Sequence, residues 1–266
     1  MKTSLITGAS SGIGEVFARR LSARGENVLL VARNGERLAT ICNELGRAAQ
    51  VNAQYVAMDL SERDAPKRLY EETERRGLVV ETLVNNAGFG SMGDFMAQDI
   101  ERELNMIDLN TRALVELTYR YLKGMRERGR GRIINVASTA AFQPLPFMAT
   151  YAATKAFVLS FSEALWEENR PLGIKVMALC PGVTNTNFFE AAHIERPPLR
   201  IAQTPEQVVE AALRGLERGR SHVISGWANY FMTESERLVP RSLIARMVGN
   251  VLRPRYVDKT TVTTDK

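Results

Sequence analysis

The chain has 266 residues, 45% of them apolar and 24% charged. These proportions are those of an ordinary globular protein and exclude a disordered chain, a collagen-like repeat and a disulfide-stapled miniprotein. The net charge of +5 is local, because five arginines (237, 241, 246, 253 and 255) lie between positions 237 and 255 with no acid among them.

A chain of this length buries a large core without metal or disulfide help. Cys42 and Cys180 show no ligand spacing and fit a reducing compartment. His193 and His222 cannot form a zinc site by themselves, so no metal is expected. A nucleic-acid binder would spread its basic residues over a face with interleaved aromatics, and this body does not. No apolar run reaches the ~18 residues of a membrane span. The few residues before Gly8 lack the apolar stretch of a signal peptide. The expectation is a cytoplasmic protein.

In chain order, short runs rich in Val, Ile and Leu occur at 4–7, 27–32, 54–58, 82–85, 132–137, 175–179 and 221–225. Most are apolar on both faces, as parallel strands covered by helices on two sides must be. Segments of helical period lie between them, at about 12–24, 34–48, 62–76, 98–128, 152–170 and 205–218. In the fifth, Phe157, Phe161 and Leu165 recur every four residues and predict one buried face. The alternation predicts an α/β fold: an open, doubly wound parallel sheet of about seven strands. No linker splits the chain, so the expectation is one domain over 1–225 with an extension over 226–266.

The first strand runs into Thr7-Gly8-Ala9-Ser10-Ser11-Gly12-Ile13-Gly14. Glycines let the backbone turn tightly and approach a pyrophosphate, while the next helix aims its N-terminal N–H groups at the anion. The spacing is G-x-x-x-G-x-G, not the usual G-x-G-x-x-G. Further along come Asn85-Asn86-Ala87-Gly88, Asn110, Ser138, Tyr151-Ala152-Ala153-Thr154-Lys155 and Pro181-Gly182. In order and separation these motifs over 1–225 resemble the short-chain dehydrogenase/reductase family, which implies a Rossmann-like domain.

A free tyrosine has a pKa near ~10 and is a poor base at neutral pH. A nearby cation favours the phenolate, and Tyr151 and Lys155, four apart, share a helix face. That spacing offers a way to make the tyrosine a working acid or base. The resemblance implies the other roles. Ser138 would hold the substrate oxygen against the Tyr151 hydroxyl, and Lys155 would also bind the nicotinamide ribose. Asn110 would kink its helix and anchor a water leading from Lys155. Gly8, Ser10, Ser11, Gly12, Ile13, Gly14, Asn86, Ala87 and Gly88 would hold the dinucleotide. Asp59 and Leu60 would meet the adenine. Pro181, Gly182, Val183, Thr184 and Thr186 would meet the carboxamide.

An NAD site usually carries an acid about twenty residues past the glycines. Here the sequence is Val31-Ala32-Arg33-Asn34, and Arg33 offers a guanidinium suited to a phosphate. That predicts NADP(H) over NAD(H). Three segments should surround the nicotinamide: 89–96 with Phe89, Met92, Phe95 and Met96; 139–150 with Phe142, Leu145, Phe147 and Met148; and 187–202 with Phe188, Phe189, His193, Pro197 and Pro198. Their apolar content predicts a small-molecule ketone, 3-oxoacyl or lipid-like substrate. The third segment is read as a lid, with His193 on its surface. The alternatives are an NAD-linked alcohol or steroid-like dehydrogenase, and a non-catalytic dinucleotide sensor or membrane-associated scaffold.

The resemblance also implies a homodimer or homotetramer built through helices 98–128 and 152–170. Around 240–252, Leu243, Ile244, Met247, Val248, Val251 and Leu252 form a helical stripe flanked by Arg241, Arg246 and Arg253. Such a helix could pack on its own body or a neighbouring subunit, lie on an anionic membrane surface, or stay a mobile tail. Residues 257–266 are expected to be frayed.

Overall fold

The structure is a computed structural model, and it describes residues 1–186, 188, 202–236 and 238–256. Seven strands run in the order β3-β2-β1-β4-β5-β6-β7. They are β1 (Lys2–Thr7), β2 (Asn27–Ala32), β3 (Ala53–Ala57), β4 (Val79–Asn85), β5 (Gly131–Val136), β6 (Ile174–Cys180) and β7 (His222–Ile224). Every neighbouring pair is parallel. The order reverses between β1 and β4, and it is at such a switch point that ligands enter an open α/β sheet.

Alternation along each strand sends one residue to each face. Ile6, Leu30, Val84, Ile134 and Met177 pack one way, against α1 (Gly12–Ser22), α2 (Gly35–Ala49) and a later helix, Pro205–Glu217. Leu5, Leu29, Leu83, Ile133 and Val176 pack the other way, against α3 (Ala65–Arg75) and α5 (Leu114–Glu127). Each fully buried Leu or Ile contributes about 1.5–3 kcal/mol. Both faces are therefore needed, which is why the strands read as continuous apolar runs.

The segment expected as one helix over 98–128 is three pieces: α4 (Ile100–Ile107), a π-turn over Asp108–Ala113, and α5. Asn110 sits inside the π-turn, so the expected distortion is present and is a wider turn. Next come α6 (Ala149–Asn169), α7 (Pro205–Glu217), α8 (Trp227–Glu236) and α9 (Arg241–Tyr256).

The face assigned to α6 from the Phe157, Phe161 and Leu165 stripe is corrected in part. Phe161 and Leu165 are partly buried against the core, but the fully buried residues are Tyr151, Ala152, Thr154, Lys155, Val158, Ser162 and Asn169. Phe157 is 45% exposed and stacks on Phe161 at 5.7 Å. Periodicity located a stripe, but the sheet side of α6 belongs to polar groups that must reach the cleft and the strand ends. The lid positions Phe189, His193, Pro197 and Pro198, and the end over 257–266, lie outside the described residues.

Candidate active site

The cleft forms where the strand order reverses. Gly8 follows β1 at φ +64°, and a Cβ there would stand 2.7 Å from the Asn86 carboxamide nitrogen. A Cβ on Gly14 would stand 2.3 Å from the Gly8 carbonyl oxygen. The loop closes this tightly because Asn86 braces it. Asn86 Nδ2 donates to the Thr7 carbonyl at 2.9 Å and to the Gly8 carbonyl at 3.2 Å. Thr7 Oγ1 accepts from the Asn86 and Ala87 amides, each at 2.9 Å. Ser11 stands at the N-cap of α1, but its side chain makes no capping bond. The first-turn amides of α1 are thus presented with the positive end of the helix dipole, a setting that favours an anion.

Ser138 ends the segment after β5, its hydroxyl accepts from the Ala140 amide at 3.1 Å, and it lines the same cleft as Tyr151. Tyr151 and Lys155, both buried, lie one turn apart on α6. Lys155 Nζ donates to the Val136 carbonyl at 2.8 Å and lies 5.7 Å from the Tyr151 ring centre. Burial pushes the Tyr151 phenol up to about 12, with the neighbouring Ser138 side chain opposing. Burial also pulls the Lys155 amine down to about 8, with the Cys180 side chain opposing. Among the chain's own groups it is desolvation of the phenolate, rather than the expected lysine, that sets the direction of the Tyr151 shift.

Asn110 lies behind the cleft wall. Its Oδ1 accepts from the Phe89 amide at 3.2 Å, and its Nδ2 donates to the Phe89 carbonyl at 3.0 Å and to Thr154 Oγ1 at 3.1 Å. The side chain thus pins one wall of the cleft to the residue before Lys155. Sequence reasoning missed a second brace. Asn85 Nδ2 donates to Asn135 Oδ1 at 2.9 Å and to Thr118 Oγ1 at 3.0 Å, and Asn135 Nδ2 donates to Ser162 Oγ at 2.9 Å. This buried chain ties β4, β5, α5 and α6 together and fixes the rotation of α6 that aims Tyr151 and Lys155 inward. Asn85 was legible within its motif. Thr118, Asn135 and Ser162 carry no local signal.

The cleft encloses about 530 Å³. Its lining includes every predicted site residue except Gly14 and Asn110, which support the wall from behind. At one end Arg33 Nη1 lies 3.9 Å from Asp59 Oδ2, with the arginine side chain largely exposed. Asp59 Oδ1 also accepts from the Ser61 amide at 2.9 Å, so the carboxylate shapes its own turn as well as the cleft. At the other end Thr186 crosses the glycine loop, since a Cβ on Gly12 would stand 2.9 Å from its Cγ2.

Of the apolar residues expected around a substrate, Phe89, Leu145, Met148 and Phe188 line the cleft. Phe188 packs on the Tyr151 ring at 5.6 Å. Phe95 and Met96 face outward instead, and Phe142 packs on the cluster around Val158. Phe147 takes φ +65°, its carbonyl accepts from the Gly93 amide at 2.8 Å, and its ring lies 5.4 Å from that of Tyr256 at the end of α9. The end of α9 thus packs on the body of the same chain, against Phe147 and Met92.

A family model described as short chain dehydrogenase matches residues 2–196. The chain is 31% identical over 224 residues to ketoacyl reductase HetN of Nostoc sp., covering 84% of this chain and 78% of that one. It is 31% identical over 271 residues to very-long-chain 3-oxoacyl-CoA reductase-B of Danio rerio, covering 97% and 83%. A solved short-chain dehydrogenase from Sphingobium yanoikuyae in complex with NADPH superposes with a TM-score of 0.81 at 33% identity, over 90% of this chain and 94% of that one. The parallel sheet, the glycine loop at its switch point and the buried tyrosine–lysine turn beside it are features of one lineage, and the chain belongs to the short-chain dehydrogenase/reductase family of oxidoreductases.

Proposed function

We propose that the chain is an NADPH-dependent reductase of apolar carbonyl compounds, 3-oxoacyl thioesters foremost among them. The observation that carries this reading is one cleft with Arg33 at one end and, at the other, Ser138, Tyr151 and Lys155 beneath an apolar wall. The glycine cradle and the open helix N-terminus fit a pyrophosphate. Arg33 and the absence of any acid at the end of β2 fit a 2′-phosphate. When bound, the nicotinamide supplies the hydride. The Ser138 hydroxyl orients the carbonyl oxygen, the Tyr151 hydroxyl gives it a proton, and the Lys155 ammonium steadies the resulting tyrosinate. Phe89, Leu145, Met148 and Phe188 keep water from the reacting carbon. The relatives named as 3-oxoacyl and ketoacyl reductases support the substrate class.

The test is NADPH oxidation with a panel of 3-oxoacyl thioesters and bulky ketones, set against NAD reduction with secondary alcohols. Turnover of alcohols with NAD alone would sink the reading. Arg33→Ala should weaken NADPH binding by about 10–100-fold, the loss of charged hydrogen bonds worth about 1.5–3 kcal/mol. NADH binding should stay unchanged, so fluorescence titration of both cofactors reads the difference directly.

The same reading includes a homodimer through the helix face that carries Phe157. Ile107, Val115, Tyr119 and Phe157 line an apolar groove between the π-turn, α5 and α6. A charge placed there should split the dimer. Phe157→Glu is expected to elute at monomer mass in light scattering while NADPH binding persists. An unchanged dimer would move the interface elsewhere.

A further inference from the structure

The two C-terminal helices turn one side to the body and leave another uncovered. On α9, Ile244 and Gly249 are buried, and Pro146 lies against Gly249. Leu243, Met247 and Val251, one turn apart, are exposed, the last two at 60% and 72%. Arg246 and Arg253 are exposed beside that stripe, and Arg241 and Arg255 are exposed at its ends. On α8, Trp227, Tyr230 and Phe231 share one face and pack edge to face on one another. Trp227 is 79% exposed. The acids of α8, Glu234 and Glu236, are partly buried, and none occurs from 238 to 256.

We propose that this face docks on an anionic lipid surface, with the tryptophan, tyrosine and leucine side chains entering the headgroup boundary and the arginines meeting lipid phosphates. Aromatic residues with polar edges favour that boundary, and basic side chains beside an apolar stripe suit an anionic leaflet. A second copy of the chain is the poorer occupant. Two-fold pairing sets a patch against itself and would bring arginine against arginine with no acid to separate them. The helices also border the substrate end of the cleft. A Cβ on Gly182 would stand 2.3 Å from Asn229 of α8, and Tyr256 of α9 packs on Phe147. Docking would therefore bring the apolar end of the cleft to the lipid.

The test uses the full chain and does not depend on catalysis. Binding is read by co-sedimentation with phosphatidylcholine vesicles, with and without 30% phosphatidylglycerol, and by tryptophan emission. The chain has two tryptophans, and Trp166 is tied by its Nε1–H to the Gly219 carbonyl at 2.9 Å, so an emission shift reports Trp227. Binding is expected to the anionic vesicles at low salt, with a blue shift. It should fall at least about tenfold at 0.5 M salt or in the Arg246→Glu, Arg253→Glu double variant. Trp227→Ser should abolish the shift, with NADPH binding confirming that each variant is folded. No binding to anionic vesicles overturns the proposal. So does equal binding to neutral vesicles that ignores the arginines, or a change of oligomer mass in the double variant without vesicle binding by the wild type.

Discussion

Replacing Tyr151 with phenylalanine is expected to lower kcat for carbonyl reduction by about a thousandfold while leaving NADPH affinity within about twofold. The substitution removes one oxygen and keeps the ring. That ring packs on Phe188 and stands beside the Lys155 amine, so the wall survives. Ser138 keeps its bond from the Ala140 amide and stays in place. What disappears is the hydroxyl that the proposed mechanism uses to protonate the substrate oxygen. The variant is measured by single-turnover NADPH oxidation and by fluorescence titration of the cofactor. Full turnover by the variant would remove Tyr151 from the chemistry. Equal and negligible turnover by both proteins, with normal cofactor binding, would favour a dinucleotide sensor.

The sequence carried the parts of the site that are encoded locally. The glycine loop, the Asn85–Gly88 turn and the Tyr151–Lys155 turn each depend on spacing within a few residues, and spacing is what a sequence displays. Strand positions were legible for the same reason, since two covered faces leave a run of aliphatic residues. What escaped depends on distant pairs. Nothing near Ser162 announces that it will accept from Asn135, or near Thr118 that it will meet Asn85. The phenylalanine stripe of α6 shows the same limit from the other side. A helical period tells which residues share a face, but not whether this chain or another covers it. The sign of the Tyr151 shift was also out of reach, because the spacing shows that the tyrosine and lysine share a helix face but not that burial dominates at each.

That sign has a measurable consequence at Lys155. The amine is held at about 8, so it is an ammonium below that pH and neutral above it. Tyr151, pushed up to about 12, keeps its proton throughout the neutral range. In the proposed reduction the phenol gives up its proton and negative charge develops on the ring oxygen. An ammonium 5.7 Å from the ring centre stabilises that charge by about 3 kcal/mol at an effective dielectric constant near 20, or roughly a hundredfold in rate. The reductive rate should thus be level below pH ~8 and fall above it as the ammonium is lost. The oxidative direction must start from the phenolate and should rise with pH instead. Lys155→Met is expected to lower the reductive rate by about 10²–10⁴-fold at pH 7 and to erase the break near pH 8, because no group remains there to titrate. Profiles of both proteins from pH 6 to 9.5 decide it. A break that survives in the variant would belong to another group, and Lys155 would then act only through its bond to the Val136 carbonyl, as a strut that positions α6 against β5.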